Sequence, residues 1–373
     1  PWRTIHGEEC SGYWPAGTAS FHIGADIADA VVRYVAATDD AEFEERYGAE
    51  LLVETARLWM SLGHFDEDDF RIDGVTGPDE YTAVVDDNAY TNLMAQRNLR
   101  EAAAAAERCP GTGERLGVDA SEVARWRRAA DAVVVPYDDK LGVHAQSEGF
   151  TAHAEWDFEG TPPEHYPLFL HHPYFDLYRK QVVKQADVVL AMHLRGDAFT
   201  AEQKARNFAY YEARTVRDSS LSACPQAVIA AEVGHLDLAY DYWAETALTD
   251  LQNLHHNTGG GLHIASLAGA WTVAVAGFGG LRDHDGRLSF APRLPAAIDR
   301  LSFRLNFRGR CVVVEVGRHR AVYRLLAGEP LTTSHYGEDI TVAVDAPVSR
   351  PVPPLAPVEP VRQPAGRAPL RRR

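Results

Sequence analysis

The stretch NAYTNLMAQRNLREAAAAAER, residues 88–108, decides the fold class. Tyr90, Leu93 and Met94 recur at the spacing of one helical face, and an alanine-rich run continues the pattern. The stretch therefore predicts a long helix.

Stretches of the same kind lie on both sides of it, between residues 20 and 282, with turns between them. In all, roughly eight helices are predicted, joined by longer loops rich in aromatic residues and glycine. No strand alternates with them, so the pattern favours an α/α arrangement of paired helices over βαβ units. The other helical stretches are SFHIGADIADAVVRYVAAT, AEFEERYGAELLVETARLWMSL, ASEVARWRRAADAVV, RKQVVKQADVVLAMHL, AEQKARNFAYYEAR, PQAVIAAEVGHLDLAYDYWAETALTDL and LHIASLAGAWTVAVAGFGG.

The pattern of residues changes near residue 283. Leucine and phenylalanine occupy every second position of 301–307, an apolar run follows at 311–316, and Arg308-Gly309 forms a turn between them. This alternation predicts a small antiparallel β domain over residues 283–345, after a helical domain over residues 1–282. The proline-rich, basic segment 346–373 is predicted to be a disordered tail.

Composition limits the classes of function. With 46% hydrophobic residues among 373, the chain can bury a substantial core. A net charge of −16 argues against a nucleic-acid binder, so an anionic ligand would need a local positive site. No apolar run approaches the ~18 residues of a membrane span, and no membrane partner is expected. Because the chain begins at Pro1 and not at methionine, we expect a fragment or a processed chain.

Cysteine usage predicts the compartment. Cys10, Cys109, Cys224 and Cys311 are scattered, without a CxxC pair or a His/Cys cluster. Reduced structural thiols, a cytoplasmic setting and no metal site are therefore expected. The motifs GxSxG, HExxH and GxGxxG are missing from the sequence, which argues against serine hydrolases, zincins and Rossmann enzymes.

The segment GPDEY, residues 77–81, contains a candidate catalytic acid. Gly77-Pro78 breaks regular structure and presets a turn, so Glu80 lies in a loop ahead of the 88–108 helix. Catalytic groups are often carried on such loops, but most acids of this kind are simply solvated. From the residues alone, both interpretations of Glu80 stay open.

Two further segments could bind a ligand. Lys184 and Gln185, in KQADVV, can exchange hydrogen bonds with sugar hydroxyls or form a solvated helix face. In RDSSLS, Ser219 and Ser220 precede the helix that Pro225 can open. Hydroxyls and backbone N–H groups at such a position form either an anion site or a helix cap.

A third segment, HHNTGGGLHIAS, carries three glycines and three histidines ahead of a helix. The glycines let backbone N–H groups approach an anion, and His263 can add a donor or a positive charge. Because the GK[ST] ending is missing, the segment is not a P-loop, and a flexible turn is the alternative. Aromatic residues that suit either a sugar platform or core packing are Trp2, Tyr13, Trp14, Trp156 and Tyr174.

Six stretches together resemble glycoside hydrolase family 65, the maltose, trehalose and kojibiose phosphorylases and their hydrolase relatives. They follow the family's order: PWRTIHGEECSGYWPAGTASFHIGADIADAV, GVTGPDEYTAVVDDNAYTNLMA, KQADVVLAM, YYEARTVRDSSLS, NTGGGLHIASLAGAW and GFGGLR. The resemblance implies an (α/α)₆ barrel followed by a small C-terminal β domain. It also implies that the chain opens part-way through the barrel. The family's N-terminal β-sandwich, its first barrel helices and an upstream Trp-Asp pair for glucose would then be missing.

The same resemblance implies roles for individual residues. Glu80 falls on the family's general acid, and Lys184 and Gln185 fall on residues that contact glucose. The loops that cradle phosphate fall on Ser219, Ser220, Gly260, Gly261, His263 and Ser266. The implied partners are a disaccharide and inorganic phosphate as co-substrate, with no other cofactor, and a homodimer is expected.

Physical chemistry separates phosphorolysis from hydrolysis. An inverting hydrolase needs a general acid and a second carboxylate that activates water. Phosphate is already an anion near neutral pH, so it needs no base if N–H and positive groups hold it. Asp218 is the one acid in the two loops, and phosphorylases of the family share it, so a structural role is implied.

We therefore predict inverting phosphorolysis of an α-glucosyl disaccharide of the maltose, trehalose or kojibiose type. Glu80 would act as general acid and phosphate as nucleophile, giving β-glucose 1-phosphate and a free sugar. The alternatives are an inverting hydrolase such as a trehalase, and an inactive truncated fragment that at most binds sugar.

Overall fold

The computed structural model describes residues 14–371, apart from the side chain of Asp285. Trp2, Cys10 and Tyr13 lie outside the described residues. The chain divides into two compact units. The first contains the residues up to 157 together with 164–191, and the second contains 158–163 together with the residues from 192 onward.

The first unit is mainly helical. Its helices are α1 (Pro15–Thr18), α2 (His22–Thr38), α3 (Ala41–Phe43), α4 (Ala49–Leu62), α5 (Ala89–Arg108), α6 (Pro110–Arg115), α7 (Ala120–Ala132) and α8 (Tyr174–Leu177), with a π-helical turn at Glu44–Gly48. Its strands are short: β1 (Gly63–Asp66), β2 (Asp69–Ile72), β3 (Tyr137–Asp138), β4 (Val143–His144), β5 (Ala154–Glu155) and β6 (Lys180–Gln181). The pairs β1–β2 and β3–β4 are antiparallel, and β5–β6 is parallel.

Helix α5, predicted from the 88–108 stretch, lies at the centre of this unit. It begins where Asn88 caps it, because Asn88 Oδ1 accepts the N–H of Thr91 at 2.9 Å. The predicted apolar face, with Tyr90, Leu93 and Met94, is buried. The helix packs against α2, α4 and α7, so it organises the core of the first unit.

Helix α9 (Asp187–Leu194) is shorter than the stretch RKQVVKQADVVLAMHL predicts. The stretch begins with strand β6 instead, and Lys184 and Gln185 lie in the loop before the helix. Their backbone N–H groups point to the carboxylate of Asp79, at 2.8 and 3.5 Å, and not to a preceding helical turn. The predicted helix position of Lys184 and Gln185 was therefore wrong.

The second unit combines helices and strands. Its helices are α10 (Ala201–Glu212), α11 (Ala223–Val233), α12 (Leu236–Leu248) and α13 (Ile264–Thr272), which continues into a π-helical segment at Val273–Phe278. Helix α11 packs against α10, α12 and α13. The strands are β7 (Leu281–Arg282), β8 (Ser289–Phe290), β9 (Arg300–Phe307), β10 (Arg310–Gly317), β11 (Arg320–Ala327), β12 (Leu331–His335), β13 (Glu338–Val342) and β14 (Val348–Pro351).

These strands form two four-stranded sheets, with the orders β14-β11-β10-β9 and β13-β12-β8-β7. Phe303, Val314 and Tyr323 are partners across β9, β10 and β11, and all three are buried. Alternate residues of these strands face the core, as the 301–307 pattern predicts. The β-rich character predicted after residue 283 is thus present, and strands continue to Pro351.

The segment after residue 345 is not a disordered tail over the described residues, which end at Arg371. Strand β14 pairs with β11, and Gln363 and Arg367 donate hydrogen bonds to Glu212 and Asp218. The prediction of disorder rested on composition alone. It was wrong because buried acids elsewhere in the unit provide partners for the tail's polar groups.

Three general features of residues 14–371 bear on function. No helix there is both long enough and apolar enough to cross a bilayer. No group of three or more His, Cys, Asp or Glu side chains in that range could hold a metal ion. Cys109, Cys224 and Cys311 are free thiols.

Candidate functional site

Glu80 lies in the loop between β2 and α5, beside Lys184. The Nζ atom of Lys184 is 2.5 Å from Glu80 Oε2, and the two side chains are 17% and 29% exposed. Lys184 also lies over the ring of Phe169, 5.2 Å from its centroid. Gln185 Nε2 donates to the carbonyl of Pro78 at 2.6 Å. The structure thus brings the predicted acid and both predicted sugar-binding residues together.

Buried Asp79 holds this arrangement in place. Its Oδ1 accepts the backbone N–H of Tyr81 at 3.2 Å and that of Lys184 at 2.8 Å. Its Oδ2 accepts from Thr82 Oγ1 at 2.9 Å and from Gln146 Nε2 at 2.7 Å. Burial raises the pKa of Asp79 to about 6, although these hydrogen bonds oppose the shift. Asp79 therefore connects the loop of Glu80 to the loop of Lys184.

Asp187, the first residue of α9, also holds the loop that carries Glu80. Its Oδ1 accepts the N–H of Asp79 at 2.8 Å, and its Oδ2 accepts from Asn88 Nδ2 at 2.9 Å. Burial, followed by the charge of Asp79, raises the pKa of Asp187 well above its usual range. A Cβ on Gly77 would lie only 2.2 Å from Asp187 Oδ2, so the close approach requires glycine.

An aromatic group lies near Glu80. The ring centroids of Trp14 and Tyr174 are 5.3 Å apart, and those of Tyr174 and Tyr178 are 5.8 Å apart. Burial raises the pKa of Tyr174 to about 12, and the nearby charge of Glu80 adds to the shift. Two residues of the predicted sugar platform, Trp14 and Tyr174, thus belong to the surroundings of Glu80. Trp156 packs edge-on against a histidine ring instead.

In the second unit, Ser219 and Ser220 lie in the connection between α10 and α11. Both are partly buried. The preceding residue, Asp218, has a side chain that is only 1% exposed, and its Oδ1 is 2.9 Å from Nη2 of Arg367. This buried ion pair agrees with the structural role implied for Asp218.

The glycine segment lies open to solvent. A Cβ added to Gly260 or Gly261 would have no described atom within 4 Å, and Gly261 has a φ of 129° that favours glycine. His263 donates its backbone N–H to Asp250 Oδ2 at 2.8 Å, and its Nδ1 lies 2.6 Å from Oδ1 of the same carboxylate. These contacts, which also lower the pKa of Asp250, orient the imidazole so that Nε2 faces away from Asp250.

Ser266 differs from the other predicted phosphate ligands. It is buried, and its Oγ donates to the carbonyl of Thr246 at 3.1 Å and lies 3.2 Å from Thr249 Oγ1. Its hydroxyl therefore fastens α13 to α12. Because this hydroxyl is already engaged, we do not propose Ser266 as a phosphate ligand.

His255 interacts electrostatically with residues at both the glycine segment and the serine loop of the second unit. Burial lowers its pKa, and smaller contributions come from the charges of Glu245, His263, Arg367 and Asp218. The histidine that precedes the glycine segment thus lies within electrostatic reach of the residues that hold the serine loop.

Some of these residues could be found from sequence and others could not. Asp187 belongs to the segment KQADVV, and its place beside Lys184 and Gln185 was an available signal that its carboxylate lies near theirs. Gln146 lies in a loop and Phe169 in a single 3-10 turn, Leu168–Leu170, and no signal in the sequence points to either residue.

Comparisons with known proteins show the family and the fold class of this chain. Residues 1–272 match the family described as "Glycosyl hydrolase family 65 central catalytic domain", and residues 281–342 match its C-terminal domain. A solved structure of a candidate kojibiose phosphorylase from the human microbiome has a TM-score of 0.82 and 26% identity. The match covers 96% of this chain and 53% of that one. The predicted fold class, an (α/α)₆ barrel followed by a small β domain, is confirmed.

Curated relatives are similar over most of this chain. An uncharacterised glycosyl hydrolase of Mycobacterium tuberculosis is 57% identical, over 100% of this chain and 48% of the relative. An α,α-trehalose phosphorylase of Geobacillus stearothermophilus is 46% identical, over 93% and 46%. A maltose phosphorylase of Bacillus subtilis is 35% identical, over 92% and 46%. The chain spans about half the length of the curated relatives it matches. It belongs to glycosyl hydrolase family 65.

Proposed function

We propose that the gene product containing this chain carries out inverting phosphorolysis of an α-glucosyl disaccharide. The observation that carries the proposal is the state of Asp218. It is the one acid in the segments RDSSLS and HHNTGGGLHIAS, and its carboxylate is buried and paired with Arg367. A carboxylate that is enclosed and engaged by a guanidinium is poorly placed to take a proton from water, which disfavours Asp218 as the general base of an inverting hydrolase. Phosphate needs no such base.

In the proposed reaction Glu80 donates its proton to the glycosidic oxygen. The bond between that oxygen and the anomeric carbon breaks, and a phosphate oxygen forms the new bond from the opposite face of the ring. The free sugar leaves with the proton, and the α-linked glucosyl unit becomes β-glucose 1-phosphate. Glu80 regains a proton before the next turnover.

Lys184 and Gln185 bind the glucosyl unit in this proposal. Both belong to the loop that Asp79 fastens to the loop of Glu80, so a sugar held by them lies within reach of the acid. The rings of Trp14 and Tyr174 are tilted by 55° to each other, and in this proposal each offers an apolar face to a sugar ring. Positioning of this kind is a major source of rate acceleration in enzymes.

The phosphate would be bound by Ser219, Ser220, Gly260, Gly261 and His263. Serine hydroxyls and backbone N–H groups are good ligands for phosphate oxygens, and the imidazole adds a donor. The N–H groups of Gly260 and Gly261 donate to the carbonyls of Asn257 and Thr258 at 2.9 and 3.1 Å, so the glycine turn would open to bring them to phosphate. Local donors of this kind are needed because a net charge of −16 repels anions over longer distances.

We propose α,α-trehalose as the first substrate to test. The trehalose phosphorylase of G. stearothermophilus is 46% identical to this chain, whereas the maltose phosphorylase of B. subtilis is 35% identical. The cytoplasmic setting and the homodimer remain predictions.

A panel of disaccharides tests the proposal. The full-length gene product is incubated with trehalose, maltose or kojibiose, with and without inorganic phosphate, and glucose 1-phosphate and free glucose are quantified. Phosphate-dependent glucose 1-phosphate from one disaccharide is expected. Equal release of glucose without phosphate would identify a hydrolase, and no turnover of any of the three would contradict the proposal.

A further inference from the structure

The segment 363–367 lies against the connection between α10 and α11. Gln363 Nε2 donates to Glu212 Oε1 at 3.0 Å. Arg367 donates through Nε to the carbonyl of Val216 at 2.7 Å and through Nη2 to Asp218 Oδ1 at 2.9 Å. These contacts join residues 149 to 151 positions apart in sequence. The partner of Arg367, Asp218, directly precedes Ser219.

The partners of this segment are buried acids that require compensation. Glu212, at the end of α10, is buried and also accepts hydrogen bonds from Tyr242 and Gln226. Asp218 is almost fully enclosed. A buried carboxylate without a hydrogen-bond donor or a cation is strongly unfavourable. Gln363 therefore supplies a donor to Glu212, and Arg367 supplies a cation to Asp218.

Arg217 shows that the loop conformation depends on the same segment. Its backbone has a φ of 56°, in the left-handed region that is uncommon for arginine. Its guanidinium donates to Glu245 at 3.1 Å, lies over the ring of Tyr242, and donates to the carbonyl of Arg367. Strained backbone of this kind persists only where the surroundings hold it.

We propose that residues 363–367 act as a positioning strap for the phosphate-binding loop, with Arg367 as its central residue. Arg367 would not touch phosphate. It would hold Val216 and Asp218 so that Ser219 and Ser220 are already arranged when phosphate arrives. This inference rests on the proposed phosphorolytic function and assigns a role to a segment that lies outside the matched family domains, which end at residue 342.

Steady-state kinetics of the full-length gene product test the strap. Arg367→Met removes the guanidinium and keeps an unbranched side chain. Arg367→Lys keeps the positive charge but lacks the planar guanidinium donors. Arg362→Met, at the exposed position that immediately precedes the segment, is the matched control. We expect Arg367→Met to raise KM for phosphate roughly tenfold, the effect of about 1.4 kcal/mol of lost positioning. KM for the disaccharide should change little, Arg367→Lys should lie between Arg367→Met and the wild type, and Arg362→Met should match the wild type.

A purely structural role would give a different result. It would lower the midpoint of thermal unfolding and the active fraction but leave KM for phosphate unchanged, which would overturn the inference. If Arg367→Met does not fold, Arg367→Lys and Gln363→Leu are compared in its place, and an unchanged KM for phosphate in both would again overturn it. The wild type is assayed first without phosphate. Full activity there would contradict the proposed function itself and is recognised before any variant is made.

Discussion

The Nζ atom of Lys184 lies 2.5 Å from Oε2 of Glu80, and the backbone N–H of the same lysine donates to Asp79 at 2.8 Å. Lys184 therefore contacts both acids of the GPDEY segment, the partly buried Glu80 through its side chain and the fully buried Asp79 through its backbone. In the proposed reaction Lys184 must leave Glu80 for the glucosyl hydroxyls, because a general acid has to carry a proton.

Replacing Glu80 by Gln should lower kcat by about 10²–10⁴-fold, the usual contribution of general acid catalysis. Gln keeps the size of the side chain but cannot donate an acidic proton. Glu42→Gln is the control, because Glu42 forms an exposed ion pair with Arg46 at 2.7 Å. Turnover of α-glucosyl fluoride, whose leaving group needs little protonation, should fall much less. An E80Q enzyme that kept more than about a tenth of its activity would remove Glu80 from the mechanism.

Gly77→Ala should disrupt the loop that presents Glu80. The added Cβ would lie 2.2 Å from Asp187 Oδ2, so the loop must shift, at a cost of about 1–3 kcal/mol typical of overpacking. Gly24→Ala in α2 is the matched control, since its Cβ would lie 3.8 Å from its nearest neighbours and favour the helix by about 0.5–1 kcal/mol. Urea unfolding and kcat measure both effects. Equal stability and activity in the two variants would show that the Gly77 contact is unimportant.

His22 should make the protein less stable in acid. Burial lowers its pKa to about 4, while its Nδ1 lies 2.9 Å from the carbonyl of Thr76. The unfolded chain binds the proton more readily, so stability is lost as pH falls from about 6.5 towards 4, by at most about 3 kcal/mol. His22→Asn retains a donor for Thr76 but cannot titrate. Its stability deficit should therefore shrink as the pH falls.

Urea unfolding of the wild type and His22→Asn across this pH range checks the prediction. Asp79, whose raised pKa gives the opposite slope, is common to both proteins and cancels in the difference. Parallel stability curves for the two proteins would contradict the assignment to His22.

His263→Ala should raise KM for phosphate about tenfold, as expected for the loss of one charge-assisted hydrogen bond, and leave KM for the disaccharide near its wild-type value. Asp250→Asn should have a smaller effect in the same direction, because Asp250 only orients the imidazole. His319→Ala, on the exposed turn between β10 and β11, is the control. A change in KM for the disaccharide alone would place His263 in the sugar site instead.

The helices and the β hairpins followed from local patterns because their burial repeats at a fixed period. The face of Tyr90, Leu93 and Met94 is buried, and the turn at Arg308-Gly309 joins β9 to β10 with both residues at positive φ. The roles proposed for Glu80 and Lys184 follow from the family resemblance, and the structure brings the two side chains into contact.

The features that could not be predicted from the sequence depend on contacts between residues that are far apart in the chain. The loop position of Lys184 and Gln185 follows from hydrogen bonds to Asp79, more than 100 residues away. The order of the tail follows from Arg367, which meets a buried acid from another helix connection. Neither interaction has a local pattern, so composition and periodicity predicted a helix in one place and disorder in the other.

The most direct test of inverting phosphorolysis follows a labelled phosphate oxygen into the product and determines the product's anomeric configuration. The full-length gene product is incubated with α,α-trehalose and ¹⁸O-labelled phosphate, and the products are examined by ³¹P and ¹H NMR. The account predicts β-glucose 1-phosphate with ¹⁸O in the ester bridge, and no glucosyl product when phosphate is left out. Glucose released at the same rate in phosphate-free buffer, or glucose 1-phosphate formed as the α anomer, would contradict it.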